Sequence, residues 1–347
     1  MFCGLVSLLA RGRFIATRLD LPILLYIASL TIAFLLSPYQ KSLAKPPLYF
    51  LYFAVTQLEL NPSRSREILI AFIVGSILAF AWGLIAYVQN NLDRLMVKSI
   101  GYTAIATLFL FSLGILWSWI IALPNLRLWL LLINILVLTA LAMTFCRAQW
   151  LAAIAQVIIL SFRRYRRLLW IGLAIVFITI SALILLPHRG LEIGRFKLGD
   201  PQFVSSRDII YRGAAEAFVT MPPTGFGPGS FQSAFPLTTR FHNPVEQIGG
   251  WHNDILQSFL EGGLLTLVAY LWMMITAISC IYKSATIADD PWMKGARWGT
   301  AIATAGVAIS ALLCNVATVP MVILGQTLLW GLVMGRIETS IKKDMDR

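Results

Sequence analysis

The feature that most limits this chain is the recurrence of long apolar stretches with almost no charge inside them. A bilayer's hydrocarbon core is about 30 Å thick, which an α-helix crosses in about 20 residues. Lipid offers no partner to a free backbone group, so only helices and closed barrels can span it. Period-2 alternation is absent, which excludes a membrane β-barrel. Hydrophobic residues make up 58% and charged residues 13% of the 347, against about 25% charged in soluble domains. The fold expected is all-α and polytopic. It has about ten transmembrane helices, near 21–37, 43–60, 68–88, 99–121, 125–145, 148–162, 168–187, 254–282, 298–316 and 319–335. The span at 43–60 contains Pro46-Pro47, and the one at 148–162 is short and follows Arg147 directly. Either can be tilted, broken or re-entrant. The first residues, up to Arg13, are too short an apolar run for a span and carry no cleavage pattern.

The net charge of +12 does not read as a nucleic-acid footprint, because Lys and Arg fall in short clusters between apolar segments. An even number of spans puts both termini on one side. That side holds Arg11, Arg13, Arg18, Arg64, Arg66, Arg127, the RRYRR run at 163–167, Lys283, Lys294, Arg297 and the basic tail. The opposite short loops hold Lys41, Lys45, Arg94, Lys98 and Arg147. Short cytoplasmic loops are the ones rich in Lys and Arg. Both termini are therefore expected in the cytoplasm, with the long loop 188–253, Arg147 and His252 on the outer face. The organisation expected is 1–187 for the first seven helices, 188–253 for the loop, and 254–347 for the last three helices and the tail. Cys3, Cys146, Cys280 and Cys314 lie in or beside apolar segments without a CxxC, and read as small hydrophobes. His188 and His242 have no carboxylate or thiol at metal-ligand spacing, so no metal is expected.

A loop of that length in a compact protein is usually functional. Ser205 and Asp208 form a capping box, and Pro222-Pro223 stops the helix that follows. At 100° per residue, Arg207, Ile210, Tyr211, Ala214, Phe218 and Met221 share one face, expected to turn inward. Arg212 and Glu216, four apart on the other side, suit a surface ion pair. Arg207 on an inward face needs a partner: an internal carboxylate or a bound anion. Arg147, alone between two apolar runs, reads either as a snorkelling interfacial cation or as a functional one at the outer mouth of the bundle. Gly225, Gly227 and Gly229 form TGFGPGS, which is neither a Walker loop nor a dinucleotide fingerprint. A tight turn and a backbone that closely approaches a ligand both fit it. His252 precedes a helix whose N-cap is expected to be Asn253. The helix dipole favours a neutral ring there, able to take a proton from a hydroxyl; a structural histidine is the plainer alternative. Gly263 and Thr266 on the same helix are expected to let a neighbouring helix approach.

These residues resemble the O-antigen ligase and O-antigen polymerase superfamily. The ligase-type signature is His, then Asn, Ser or Gln, nine residues, Gly, two residues, then Gly, Thr or Tyr. Here it is His252-Asn253, Gly263 and Thr266. A second element, Ser-Arg-Gly before an apolar helix, stands here as Cys146-Arg147-Ala148, changed on both flanks with the arginine kept. The likeness covers roughly 140–270, and by it the chain is shorter than usual by about two N-terminal helices. The resemblance implies a GT-C-type fold in the bacterial inner membrane. It also implies metal-independent, cofactor-free glycosyl transfer at the outer face. The donor would be a saccharide on a polyprenyl diphosphate, the acceptor a lipid or glycan hydroxyl. The family's functional arginines match Arg147 and Arg207, and its histidine matches His252; Tyr211, Gly225, Gly227 and Asn253 complete the expected substrate-binding set. Two other classes fit the hydropathy: an anion transporter of the bicarbonate-carrier kind and a non-catalytic scaffold for envelope assembly. A transporter favours internal symmetry, and the chain has no repeat.

Overall fold

The computed structural model describes residues 15–39, 42–58, 60–90, 92, 94–97, 100–164, 192–193, 196–197, 207–235, 250–288, 290–316 and 319–334. The span expected at 168–187, the Ser205 end of the capping box, His188, His242 and both termini lie outside them. The helices are α1 (Asp20–Leu36), α2 (Phe50–Thr56, entered through a 3-10 turn at Pro46–Tyr49), α3 (Pro62–Gln89), α4 (Tyr102–Ala122), α5 (Arg127–Met143) and α6 (Arg147–Arg164). After them come α7 (Arg207–Thr220), α8 (Phe231–Ala234), α9 (Asp254–Ile287), α10 (Pro291–Ala311) and α11 (Pro320–Met334). A two-residue antiparallel pair, β1 (Glu192–Ile193) and β2 (Phe196–Lys197), sets Glu192 opposite Lys197. The protein is a helical membrane protein. Among the described residues α3, α4, α5 with its leading 3-10 turn, and α9 are long and apolar enough to cross a bilayer, and α1, α6 and α11 are shorter apolar helices.

Burial sorts these helices by pattern. Helix α4 is apolar all round, as a helix surrounded by others must be, and 89% of its apolar window is buried. It crosses α10 where Gly114 meets Gly299: a Cβ on Gly114 would lie 2.8 Å from the Gly299 carbonyl oxygen. Small residues allow this approach, and packing drives association where lipid supplies no hydrophobic force. Buried polar groups bond across the same interfaces: Ser112 to Ser76 (2.8 Å), Gln149 to Thr107 (3.2 Å) and Gln156 to the Leu110 carbonyl (3.2 Å). Helices α3 and α5 are peripheral and turn Trp82, Val88, Leu128 and Trp129 outward.

The segment expected to span at 43–60 is much shorter. It has four 3-10 residues and seven α-helical ones. Pro46 and Pro47 supply no N–H for α-helical bonding at its start. At its end Gln57 is tied to the backbone of Ile15 in both directions, accepting at 2.9 Å and donating at 3.0 Å.

The helix ends form two groups. At one end Arg66 lies over Trp292 (5.2 Å), Trp292 packs on Trp119, Arg127 donates to Ile120 and Arg297 donates to Ser284. The other end collects the end of α1, the starts of α4, α6, α9 and α11, and the ends of α3, α5 and α10. There Ser37 donates to the Phe226 carbonyl, Ser42 N bonds Pro228 O (2.8 Å) and Leu95 N bonds Met143 O (2.8 Å).

Candidate functional site

The glycine-rich loop is docked on α9. Phe226 N donates to Leu260 O (2.8 Å), Gly227 N to Glu261 O (2.8 Å) and Gly229 N to the Glu261 carboxylate (3.0 Å). Gly225, Gly227 and Gly229 all have positive φ, where glycine carries no steric penalty. The helix breaks to receive the loop: Gly263 has φ 72° and ψ −171° inside α9. A Cβ there would lie 2.2 Å from the Pro223 carbonyl oxygen, and one on Gly225 would lie 2.6 Å from the backbone of Glu261 and Gly262. Thr266 then donates to the Gly262 carbonyl (2.7 Å), satisfying a backbone acceptor beside the break. The element that approaches closely at Gly263 is thus the loop, where a neighbouring helix was expected. A helix has no room for a positive φ, whereas a break can seat a turn.

His252 stands just ahead of α9, half-buried, with φ 50°. Non-glycine residues adopt this left-handed conformation uncommonly, histidine among the more frequent. Asn253 is the N-cap: its Oδ1 accepts from Leu256 N (3.0 Å), while its Nδ2 donates to Leu312 O (3.0 Å). Both ends of the Asn253 amide are therefore engaged by the fold. Asp254 accepts from Val316 N (3.1 Å). The stretch Leu312–Val316 after α10 also carries Cys314, buried in the same apolar cluster as Cys146, the residue before Arg147. Arg147 is half-buried at the first position of α6. One short turn thus links the neighbours of His252 to the neighbour of Arg147.

Helix α7 packs on the same end through Ile210, Gly213, Ala214 and Ala217. This corrects the face expected from the sequence, since Tyr211 is 42% and Phe218 56% exposed. The cause is Gly213, whose missing side chain admits the Phe235 ring: a Cβ there would lie 2.0 Å from Phe235 Cε2. Phe231 and Phe235 stack beneath, and buried Trp251 meets both edge-on, its ring centroid 4.8 Å from that of Phe231. Arg207 opens α7, and Arg212 is exposed.

Residues 132–271 match the family model described as O-antigen ligase. Over this stretch the chain is similar to the O-antigen ligase family. No curated protein matches the chain. The matched stretch begins within α5 and ends within α9. It contains Arg147, Arg207, Tyr211, Gly225, Gly227, His252 and Asn253.

Next to His252, at the start of α9, lies a cavity of about 200 Å³. The first turns of α9 supply Asp254, Gln257, Ser258 and Glu261. Tyr26 of α1, Tyr49, and the Ser42–Lys45 segment close it from outside the matched region. Gln257 donates to Glu261 (3.1 Å). Sequence reasoning passed over these residues although the signal was present: 254, 257, 258 and 261 have the i, i+3, i+4, i+7 spacing of one helical face, polar in an otherwise apolar helix. Among the described residues no three His, Cys, Asp or Glu side chains gather as metal ligands would.

Proposed function

We propose that the chain transfers a saccharide from a polyprenyl diphosphate to an acceptor hydroxyl, without metal and with inversion, at the outer face of the bacterial inner membrane. The observation that carries this reading is the O-antigen ligase match across all seven candidate residues. It is supported by the Leu312–Val316 turn, which joins the flanks of Arg147 and His252 at one end of the bundle. The His252 imidazole takes the proton of the acceptor hydroxyl as its oxygen attacks the anomeric carbon. The bond from that carbon to the diphosphate oxygen breaks, and the lipid diphosphate leaves with the electron pair. Arg147 and Arg207 meet the charge growing on the diphosphate with fork-shaped donors that stay charged at any working pH. Tyr211 contributes a ring beside the substrate path. Gly225, Gly227 and Asn253 act by fixing the loop and the start of α9 around the reacting groups.

In this reading the chain has ten spans of GT-C type, the seventh being 168–187, divided as 1–187, 188–253 and 254–347. The basic residues grouped around Trp292 mark the cytoplasmic end, together with both termini; the end bearing His252 faces the periplasm. The test is transfer from a polyprenyl-diphosphate-linked saccharide in proteoliposomes. His252→Ala, Arg147→Ala and Arg207→Ala each lower the rate by about 10²–10³-fold. Full activity in all three refutes the reading.

A further inference from the structure

The cavity beside His252 has the wrong charge for a diphosphate. Asp254 and Glu261 face it from α9, and Lys45 is the cation in its lining. Asp254 is 1% and Glu261 4% exposed, so neither carboxylate is shielded by bulk water. A second anion brought among them meets like charge in a medium of low dielectric. The lining instead suits a neutral group with many hydroxyls. Asp254 and Glu261 offer acceptor oxygens, those of Glu261 also accepting from Gly229 N and Gln257 Nε2, while Lys45 and the Ser42, Ser258 and Tyr49 hydroxyls supply donors. The Oε1 of Gln257 is buried without a hydrogen-bond partner, although the residue is only 5% exposed and its Nε2 is held by Glu261. An amide oxygen left so within a cavity wall is an acceptor awaiting a donor. The volume, about 200 Å³, is below the roughly 300 Å³ at which drug-sized sites begin; it takes one ring and no chain of them.

We propose that this cavity seats one uncharged sugar ring, held through its hydroxyls by Gln257, Glu261 and Asp254, and excludes sugars that carry a carboxylate. The proposal rests on the glycosyl-transfer reading and adds to it a division of the substrate: the diphosphate lies with the arginines, and a neutral pyranose lies on the polar face of α9. The ring belongs either to the lipid-linked donor or to the acceptor, and both present the same hydroxyls.

The experiment is saturation-transfer NMR on the full chain in nanodiscs. The probes are the methyl pyranosides of glucose, galactose, mannose and N-acetylglucosamine, with methyl glucuronide as the anionic counterpart. At least one neutral pyranoside receives saturation, and the glucuronide receives about tenfold less, the effect of one or two lost or repulsive polar contacts. Ser42→Trp, a substitution at an exposed position on the cavity rim, abolishes the neutral signal without disturbing the core. Gln257→Ala weakens it, and Glu261→Gln relieves the exclusion of the glucuronide. Loading with a polyprenyl-diphosphate-linked hexose assigns the source: loss of the pyranoside signal identifies the donor's ring, and its persistence the acceptor's. Three results overturn the proposal: no saturation of any pyranoside, equal saturation of glucuronide and neutral sugars, or a neutral signal untouched by both Ser42→Trp and Gln257→Ala. Binding is read without turnover. Full activity in all three of His252→Ala, Arg147→Ala and Arg207→Ala would sink the transfer reading and leave this result standing, and absent binding would leave transfer standing.

Discussion

Replacing Gly263 by Ala perturbs the structure at a point where both its backbone and its space are specified. Alanine at φ 72° and ψ −171°, a region essentially reserved to glycine, costs about 1–3 kcal/mol. The new Cβ also lies 2.2 Å from Pro223 O, so the loop must lift. Lifting it breaks the bonds from Phe226, Gly227 and Gly229 to α9, about 1 kcal/mol each and about 3 kcal/mol together. The sum is about 4–6 kcal/mol, or roughly a 10³–10⁴-fold change in the opening equilibrium of the loop. Native-state hydrogen exchange reads that opening amide by amide. Exchange at Phe226, Gly227 and Gly229 should accelerate by about that factor in Gly263→Ala, while amides in α4 remain unchanged. Gly75→Ala is the control, since nothing lies within 4 Å of a Cβ there. Unaltered exchange at the three loop amides would refute the docking of the loop on the helix break.

Three further outcomes are expected. Thr266→Val removes the hydroxyl that serves Gly262 O and should destabilise the region by about 1 kcal/mol, whereas Thr266→Ser should not; thermal unfolding followed by tryptophan fluorescence separates them. Asn253→Ala loses both the cap and the link to Leu312 and should cost about 1–2 kcal/mol or more, with Asn253→Asp intermediate because it keeps the cap; the order of unfolding midpoints is the check. Gly299→Leu forces a side chain into the crossing with α4, where a Cβ already lies 2.5 Å from Ile115 Cα. It should lower the midpoint by an amount equivalent to about 1–3 kcal/mol of overpacking or more, and a midpoint equal to that of the native chain would contradict the close crossing.

How much of this was legible in the sequence differs by element. The apolar helices were readable because lipid leaves a spanning backbone little choice; α1, α3, α4, α5, α6, α9, α10 and α11 lie within a few residues of the expected spans, except that α3 starts earlier and α10 also reaches further back. Asn253 as N-cap was readable for a similar reason, the cap being a local bond. The misreadings all involve a distant partner. The inward face of α7 is set by Phe235, which fills the gap at Gly213, and no periodicity within α7 contains that ring. The role of Gly263 depends on Pro223, forty residues earlier in the chain. The shortness of α2 depends on Ile15 meeting Gln57. The polar stripe at Asp254, Gln257, Ser258 and Glu261 was in plain view in the sequence, but its meaning needed Tyr26, Tyr49 and Lys45 opposite it.

The break at Gly263 sets how deep α9 can sit in a membrane. Nine residues, Asp254 to Gly262, precede it, and 24, Leu264 to Ile287, follow. At 1.5 Å per residue the second piece is about 36 Å long, enough by itself for a hydrocarbon slab of about 30 Å. The first piece can therefore stay at head-group level as a polar collar, keeping two carboxylates out of the oil while the apolar shaft below anchors them at a fixed height.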